Sequence, residues 1–285
     1  MNEMILNSDK PYLIAEIGIN HNGSLDITKK LIDAAYAIGW DCVKFQKRTP
    51  DVCVPQKQKT VMKETPWGTM TYLDYKKKIE FEKAEYDEID SYCKNKSSPF
   101  SWTASVWDLE SLSFILNYDV PFIKIPSAMI TNIQLLEECA SCKKNIILST
   151  GMSTIEEIDS AFNIFVKKSN IPILLHTNST YPAPLDDLNL SLIPFFKERY
   201  KCKVGYSGHE YSIEPTVIAA ALGADVIERH VTLDHSLWGT DQSSSITITG
   251  MDRLFNRIKD LKKIIGKPIK KITDGEIEIR KKLSG

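Results

Sequence analysis

The chain has 285 residues, 42% hydrophobic and 26% charged, with a formal net charge of −1; this is ordinary globular composition with enough apolar residues for a sizeable core. The near-zero charge offers no field to draw nucleic acid or an anionic membrane, and the longest apolar runs, such as residues 217–222, are far too short to cross a bilayer. Six scattered cysteines form no disulfide framework, and the single CxxC, Cys139 to Cys142, lacks the second ligand pair that zinc requires.

Residues 1–10 are polar and lack the apolar core of a signal peptide, so a cytoplasmic protein is expected. The glycosylation sequon Asn178-Ser179-Thr180 then has no consequence. From Tyr12 onward, short apolar runs alternate with helix-period segments. The runs cover residues 12–17, 42–45, 100–103, 122–125, 145–149, 171–175, 203–206 and 226–231. Near-continuous apolar strands have both faces buried, as in a parallel sheet covered by helices.

Residues 25–38 read as a helix, with Ile27, Leu31, Ala34, Ala35 and Ile38 on one face. Residues 154–166 open with a capping box of Thr154 and Glu157, followed by the stripe Ile158, Ala161, Phe162 and Phe165. Residues 212–222 carry a Ser212 cap, Pro215 in the first turn and Gly223 as the stop. Residues 251–265 read as one helix with Leu254, Ile258, Leu261 and Ile265 in register. The lysine runs 76–78 and 262–263 lie among mixed charges and read as solvated faces.

Eight strand–helix pairs argue for one α/β domain over residues 1–285, a closed (β/α)8 TIM barrel at about 11–266. A doubly wound open sheet rarely needs eight such units. Residues 49–81, with Pro55, Pro66 and Trp67-Gly68, read as an extended insertion between the second strand and the second barrel helix, over the active face. The charged tail at 267–285 is expected to pack outside, with a short final helix.

In such barrels catalytic groups stand at the carboxyl ends of the strands. The first run here leads into Glu16, the second into Lys44 and Gln46, and the third into Ser105. The fourth delivers Lys124 and Ser127, the fifth Ser149, Thr150 and Gly151, and the sixth His176 and Thr177, with Ser179 and Tyr181 beyond. The seventh ends in Ser207 and His209, and the eighth in Glu228 and His230. Singly, each has a bland reading as a snorkelling lysine, a helix-capping serine or a spectator histidine. Eight polar strand ends at one level point instead to a site. Lys44 and Lys124 among short hydroxyls suit a phosphate and a carboxylate held together. No GxxxxGK[ST] loop is present, which argues against a nucleotide triphosphate. His209 and His230, from neighbouring strands, either share one divalent ion or act as acid–base groups, and His176 competes with them. Glu228 suits an orienting or proton-carrying role beside His230. Glu16 and Asp241 are carboxylates suited to sugar hydroxyls.

The strings AEIGINHNG (15–23), VKFQ (43–46), IKIPS (123–127), ILSTGM (147–152), GYSGH (205–209), IERH (227–230) and WGTDQ (238–242), together with Tyr181-Pro182, resemble the sialic acid (N-acetylneuraminate) synthase family. The resemblance runs from Ile14 to about Ile248. It implies a barrel that condenses phosphoenolpyruvate with N-acetylmannosamine or a related aminosugar aldehyde, giving a nonulosonic acid and phosphate with the help of Mn2+, Mg2+ or Co2+. By position it implies that Lys44, Ser105, Lys124, Ser127, Ser149, Ser179 and Ser207 hold phosphoenolpyruvate and that His209 and His230 ligate the metal. Glu16, Gln46, Tyr181 and Asp241 would face the sugar, and Glu16, Lys44, Lys124 and Glu228 would be the catalytic set.

The chain departs from the family at Met129, where many members place Glu, and at Ser179, where some place Asn. It resembles a short form lacking the C-terminal antifreeze-like domain, which lends an arginine to the partner subunit's sugar site. A homodimer and a separate antifreeze-like protein are therefore the partners to consider. Three other readings stand beside this one: a synthase for a phosphorylated or differently acylated sugar, a Schiff-base aldolase using Lys124, and a non-catalytic sugar-binding barrel.

Overall fold

The computed structural model describes residues 10–284, so the expected signal-free N-terminus lies almost wholly outside the described residues. The strands are β1 (Tyr12–Gly18), β2 (Cys42–Lys47), β3 (Met62–Thr65), β4 (Gly68–Thr71), β5 (Ser101–Val106), β6 (Phe122–Ile125), β7 (Asn145–Ser149), β8 (Ile173–Thr177), β9 (Val204–Gly208), β10 (Val226–Thr232) and the short β11 (Ile246–Thr247). Eight of them run parallel in the order β1-β2-β5-β6-β7-β8-β9-β10, and β1 pairs back onto β10 to close the barrel. Several strands extend further toward the mouth than their apolar runs. The ladder continues through Ser105, Thr177 and Ser207 even though these side chains are polar.

Side-chain alternation divides the barrel into levels. Tyr12, Ile14, Cys42, Phe122, Ile147, Ile173, Leu175 and Val226 form an apolar plug inside the lower barrel. Two residues further along each strand stand Glu16, Lys44, Lys124, Ser149, Thr177 and Glu228, all buried. The opposite faces of the strands pack on the helices in one continuous core. On β10 the alternation is sharp: Glu228 and His230 turn into the barrel while Arg229, 0% exposed, turns outward. There Arg229 pairs with Glu210 at 2.9 Å, and Glu210 also accepts hydrogen bonds from Tyr206 and Thr216.

Helix Leu25–Ile38 has the expected bounds, capped by Ser24 and ended by Gly39, although Thr28 and Ile32 rather than Ala34 complete its buried face. Helix Ile155–Lys167 carries the capping box of Thr154 and Glu157. Two expectations fail. Ser212 does not cap a helix, which starts later as Glu214–Ala221; its hydroxyl instead contacts the side chain and N–H of Glu214. The single helix at 251–265 is two, Ile248–Ile258 and Leu261–Ile265; Leu261 still packs against the core, but Ile264 and Ile265 are 75% and 56% exposed. Helix Asp274–Leu283, in the charged tail, is exposed along its length rather than packed on the barrel.

The insertion at 49–81 folds as a turn of helix, the antiparallel hairpin of β3 and β4, and helix Tyr72–Ile79. It sits over the mouth through a small core of Ile19, Tyr75 and Ile79 with Tyr72, Met70 and Trp238. The lysine run 76–78 is not uniformly solvated. Lys77 pairs with Asp51 and Lys78 is exposed beside Trp67, but Lys76 turns inward over Tyr72 and Tyr75. Among the described residues no helix is long and apolar enough to cross a membrane, and all six cysteines are free.

The Arg229–Glu210 pair anchors the outer face of β10 to the loop after β9. Glu210→Ala leaves a guanidinium buried without its counter-charge and is expected to destabilise the fold by about 3–5 kcal/mol, read as a lower urea midpoint. An unchanged midpoint would show that the pair contributes nothing.

Candidate active site

A cavity of about 170 Å3 opens at the carboxyl ends of the strands, above the apolar plug. Its walls carry Glu16, Lys44, Gln46, Ser105, Lys124, Ser127, Ser149, Ser179, Tyr181, Ser207, His209, Glu228 and His230. Thus every residue that the family resemblance assigns to the site, except Asp241, lines it. Asp241 follows β10 in a loop and stands behind His230, its carboxylate 3.7 Å from Nδ1.

Two cations and two carboxylates meet on the floor. Lys44 Nζ lies 2.5 Å from Glu16 Oε2 and 3.7 Å from Glu228 Oε1, and Lys124 Nζ lies 3.6 Å from the same Glu228 oxygen. Ser207 donates to that oxygen at 3.1 Å. Burial favours the neutral form of every group here, and the neighbours decide which groups yield. Burial lifts Glu16 to about 7 despite Lys44 beside it. Glu228 suffers the same burial, but Lys124 and Lys44 together hold it down at about 2. Burial lowers Lys124 to about 8, while for Lys44 the two carboxylates outweigh burial and raise it. Glu228 Oε2 is buried with no hydrogen-bond partner, so the floor has acceptor capacity to spare.

The two pocket histidines are set differently. His209 Nδ1 lies 2.5 Å from the Asn178 carbonyl, which fixes the proton there and turns the lone pair of Nε2 toward the Tyr181 hydroxyl at 2.8 Å. His230 Nδ1 is buried without a hydrogen-bond partner. The rings are 5.4 Å apart, and burial lowers His209 to about 3 and His230 to about 4, so both present neutral imidazole. Two neutral imidazoles with available lone pairs fit a divalent cation. Among the described residues no set of three His, Cys, Asp or Glu side chains forms a complete cage, so water or substrate would fill the remaining positions. His176, the competing histidine, has the opposite strand phase. It packs between Phe196 and Tyr206, with Nε2 on the Leu188 carbonyl.

Gln46 links the floor to the rim: its Nε2 donates to Glu16 Oε1 at 2.9 Å, and its Oε1 accepts from Arg48. Gly18, at φ +55, brings β1 so close that an added Cβ would lie 3.0 Å from both Glu16 Oε1 and Gln46 Nε2. Thr150 turns away to bond the Leu175 carbonyl, and Met129 packs against the main core. Thr177, named with His176 at the sixth strand end, lines the cavity; Trp107, Ala128 and Met152 line it without having been singled out in the sequence. Thr177 follows from strand parity, two residues beyond Leu175. Trp107 leaves the strand, where periodicity gives no direction.

A family model described as the NeuB family matches residues 31–270. The N,N'-diacetyllegionaminic acid synthase of Campylobacter jejuni is 37% identical over 273 residues, 94% of this chain and 81% of that protein. The N-acetylneuraminate-9-phosphate synthase of Homo sapiens is 32% identical over 275 residues, 95% of this chain and 76% of that protein. The crystal structure of an N-acetylneuraminic acid synthetase from Leptospira borgpetersenii serovar Hardjo-bovis, in complex with citrate, matches with a TM-score of 0.85 at 31% identity. That match covers 97% of this chain and 93% of the other.

The serine side of the cavity depends on Gly151. A Cβ there would lie 2.3 Å from Ser179 Oγ, 2.8 Å from Thr177 Cγ2 and 2.9 Å from Ser127 Oγ. Gly151→Ala is expected to push these hydroxyls apart and weaken phosphate binding by about tenfold, the loss of roughly one charge-assisted hydrogen bond. Calorimetric titration with inorganic phosphate measures this, and an unchanged Kd would remove the serines from the anion site.

Proposed function

The chain belongs to the NeuB family, and we propose that it joins phosphoenolpyruvate to N-acetylmannosamine or a related aminosugar aldehyde, releasing a nonulosonic acid and phosphate. One observation carries this reading. The ammonium groups of Lys44 and Lys124 converge, buried, on the same carboxylate oxygen of Glu228, and the serine hydroxyls line the wall above them. This is a receptor for a small, highly charged acid, not for a neutral metabolite alone.

The methylene carbon of phosphoenolpyruvate bonds to the aldehyde carbon, whose oxygen takes a proton. Water, losing a proton, adds at the neighbouring carbon that bears the phosphate, and this tetrahedral carbon expels phosphate with the electrons of its C–O bond as its new hydroxyl becomes the keto group. Lys44 and Lys124 hold the phosphate and carboxylate charges throughout. Glu16, balanced near neutrality, holds or releases the proton beside the aldehyde. Gln46 fixes the Glu16 carboxylate, and Tyr181 bounds the acceptor's side of the pocket. His209 and His230 would hold a divalent ion, Mn2+ before Mg2+ or Co2+, whose chemistry would be Lewis-acid polarisation of the aldehyde. The lowered pKa of Lys124 favours one second reading, a Schiff-base aldolase; borohydride trapping of a substrate adduct without metal would establish it.

The direct test is phosphate release from phosphoenolpyruvate with N-acetylmannosamine, before and after chelation. The expected result is metal-dependent release matched by a new C–C-bonded product, with Lys124→Met slower by roughly 10²–10³-fold. Failure to release phosphate with any aminosugar aldehyde would sink the reading. A pH profile provides a second check. The Lys124 ammonium is lost from the free protein as pH rises through about 8, because burial has lowered it from the ordinary lysine range. The kcat/KM for phosphoenolpyruvate is therefore expected to fall across that pH, and a flat profile to pH 9.5 would contradict the assignment (a window of about one and a half units above the titration).

A further inference from the structure

The mouth of the cavity is braced by a cation that the reaction above does not use. Lys44, Gln46 and Arg48 alternate along β2 and just past its end, so all three keep one strand phase. Lys44 and Gln46 line the cavity, and Arg48 stands one step behind it, touching two residues that do. Its Nη2 donates to Gln46 Oε1, and its guanidinium lies over the Trp107 ring, 4.0 Å from the centre. Trp107 in turn donates from Nε1 to Ser105 Oγ at 3.2 Å. The backbone is pinned as well: the Arg48 N–H donates to Glu80 Oε1 at 2.9 Å and the Thr49 N–H to Asp108 Oδ2 at 2.8 Å. Among the described residues no carboxylate forms an ion pair with the guanidinium, so Gln46 and Trp107 are what hold it.

A glutamine amide is nearly symmetric in shape but opposite in hydrogen-bonding sense at its two ends. Its last torsion is broad, and Gln46 is only partly buried, so one bond to Glu16 would leave the amide free to turn or to swing out. Arg48 removes that freedom. Arginine can only donate, so the amide oxygen must face it and the amide N–H must face Glu16 Oε1, 2.9 Å away. Lys44 holds the other oxygen, Oε2, at 2.5 Å. The Glu16 carboxylate is thereby gripped at both ends, and the bond that secures the outer grip comes from a charged donor, the stronger kind. Stacking on Trp107 fixes the plane of the guanidinium fork, which a lysine ammonium at this position could not offer.

We infer that Arg48 is a positioning residue: it orients the Gln46 amide onto Glu16 and so sets the direction in which the Glu16 carboxylate meets the acceptor aldehyde. The inference rests on the condensation reading of the same pocket. Arg48 touches no reacting atom and acts through Gln46. Its loss leaves Lys44 and Lys124 on the floor beside Glu228, so the phosphoenolpyruvate half of the site keeps its charges.

The test is a double-mutant cycle of Arg48→Met and Gln46→Ala, followed with N-acetylmannosamine, phosphoenolpyruvate and Mn2+. Arg48→Met is expected to lower kcat about tenfold, the worth of one hydrogen bond to a charged group, with the KM for phosphoenolpyruvate unchanged. In the Gln46→Ala background the same substitution should cost less than about twofold, because the partner it acts through is gone. An unchanged kcat in Arg48→Met, or a tenfold loss that persists without Gln46, overturns the inference. Should Arg48→Met not fold, Arg48→Lys, which keeps the cation but loses the fork, takes its place. A partial loss of kcat that disappears in Gln46→Ala supports the inference, and a loss independent of Gln46, or none, overturns it. The orientation is also read without turnover. The Gln46 Nε2 protons, identified in nuclear magnetic resonance spectra by their absence from Gln46→Ala, should exchange with water about tenfold faster in Arg48→Met, and unchanged exchange overturns the inference. Absence of turnover by the wild-type protein with any aminosugar aldehyde sinks the condensation reading instead, and the exchange measurement then decides the orienting role of Arg48 by itself.

Discussion

Four charges buried within one barrel level govern this molecule. Lys44, Lys124, Glu16 and Glu228 come from four strands, and none could be buried alone without giving up its charge. They are tolerable together because each strand delivers its member at the same height, which the parallel register and barrel closure enforce. The apolar plug beneath them excludes water from below, strengthening every interaction above it. The arrangement is neutral but unevenly so: Glu228 is firmly ionised, whereas Glu16 lies close to taking a proton. An arriving anion favours protonation of Glu16, so charge can enter the site without leaving an uncompensated excess.

Much of the floor is legible in the sequence, for a simple reason. A buried parallel strand shows its phase as period two, so Ile14 below implies Glu16 above, and Phe122 implies Lys124. Of the pair at the sixth strand end, the same rule excludes His176 and keeps Thr177. Strand ends are less legible. A run judged by hydrophobicity stops where the polar residues begin, yet in β5, β8 and β9 the ladder continues through them. The helix at 251–265 misleads because Leu261 keeps the apolar period and packs on the core although the helix is interrupted before it.

The insertion is the least legible part. The sequence places it over the active face, but shows neither the hairpin and helix inside it nor the contacts that seat them. Those contacts depend on Trp238, distant in sequence, which packs on Tyr75 at 5.0 Å and on Trp67 at 5.8 Å. Only this docking turns Lys76 inward while Lys77 and Lys78 stay outside. A run of three lysines thus contains one residue in a different environment from the other two, and composition cannot say which.

The alternation along β10 has a genetic consequence. Glu228 and His230 face the cavity, and Arg229 between them holds the fold to Glu210. Substitutions at neighbouring codons therefore belong to different classes of allele. Changes at 229 lower the folded population, so cooler growth or a chaperone can restore them. Changes at 230 strip no counter-charge from a buried ion pair, so they act on the cavity rather than the fold, and no such treatment revives what they remove. Conditional and unconditional loss thus stand at adjacent codons, and the phenotype of an uncharacterised variant reports which face of the strand it occupies.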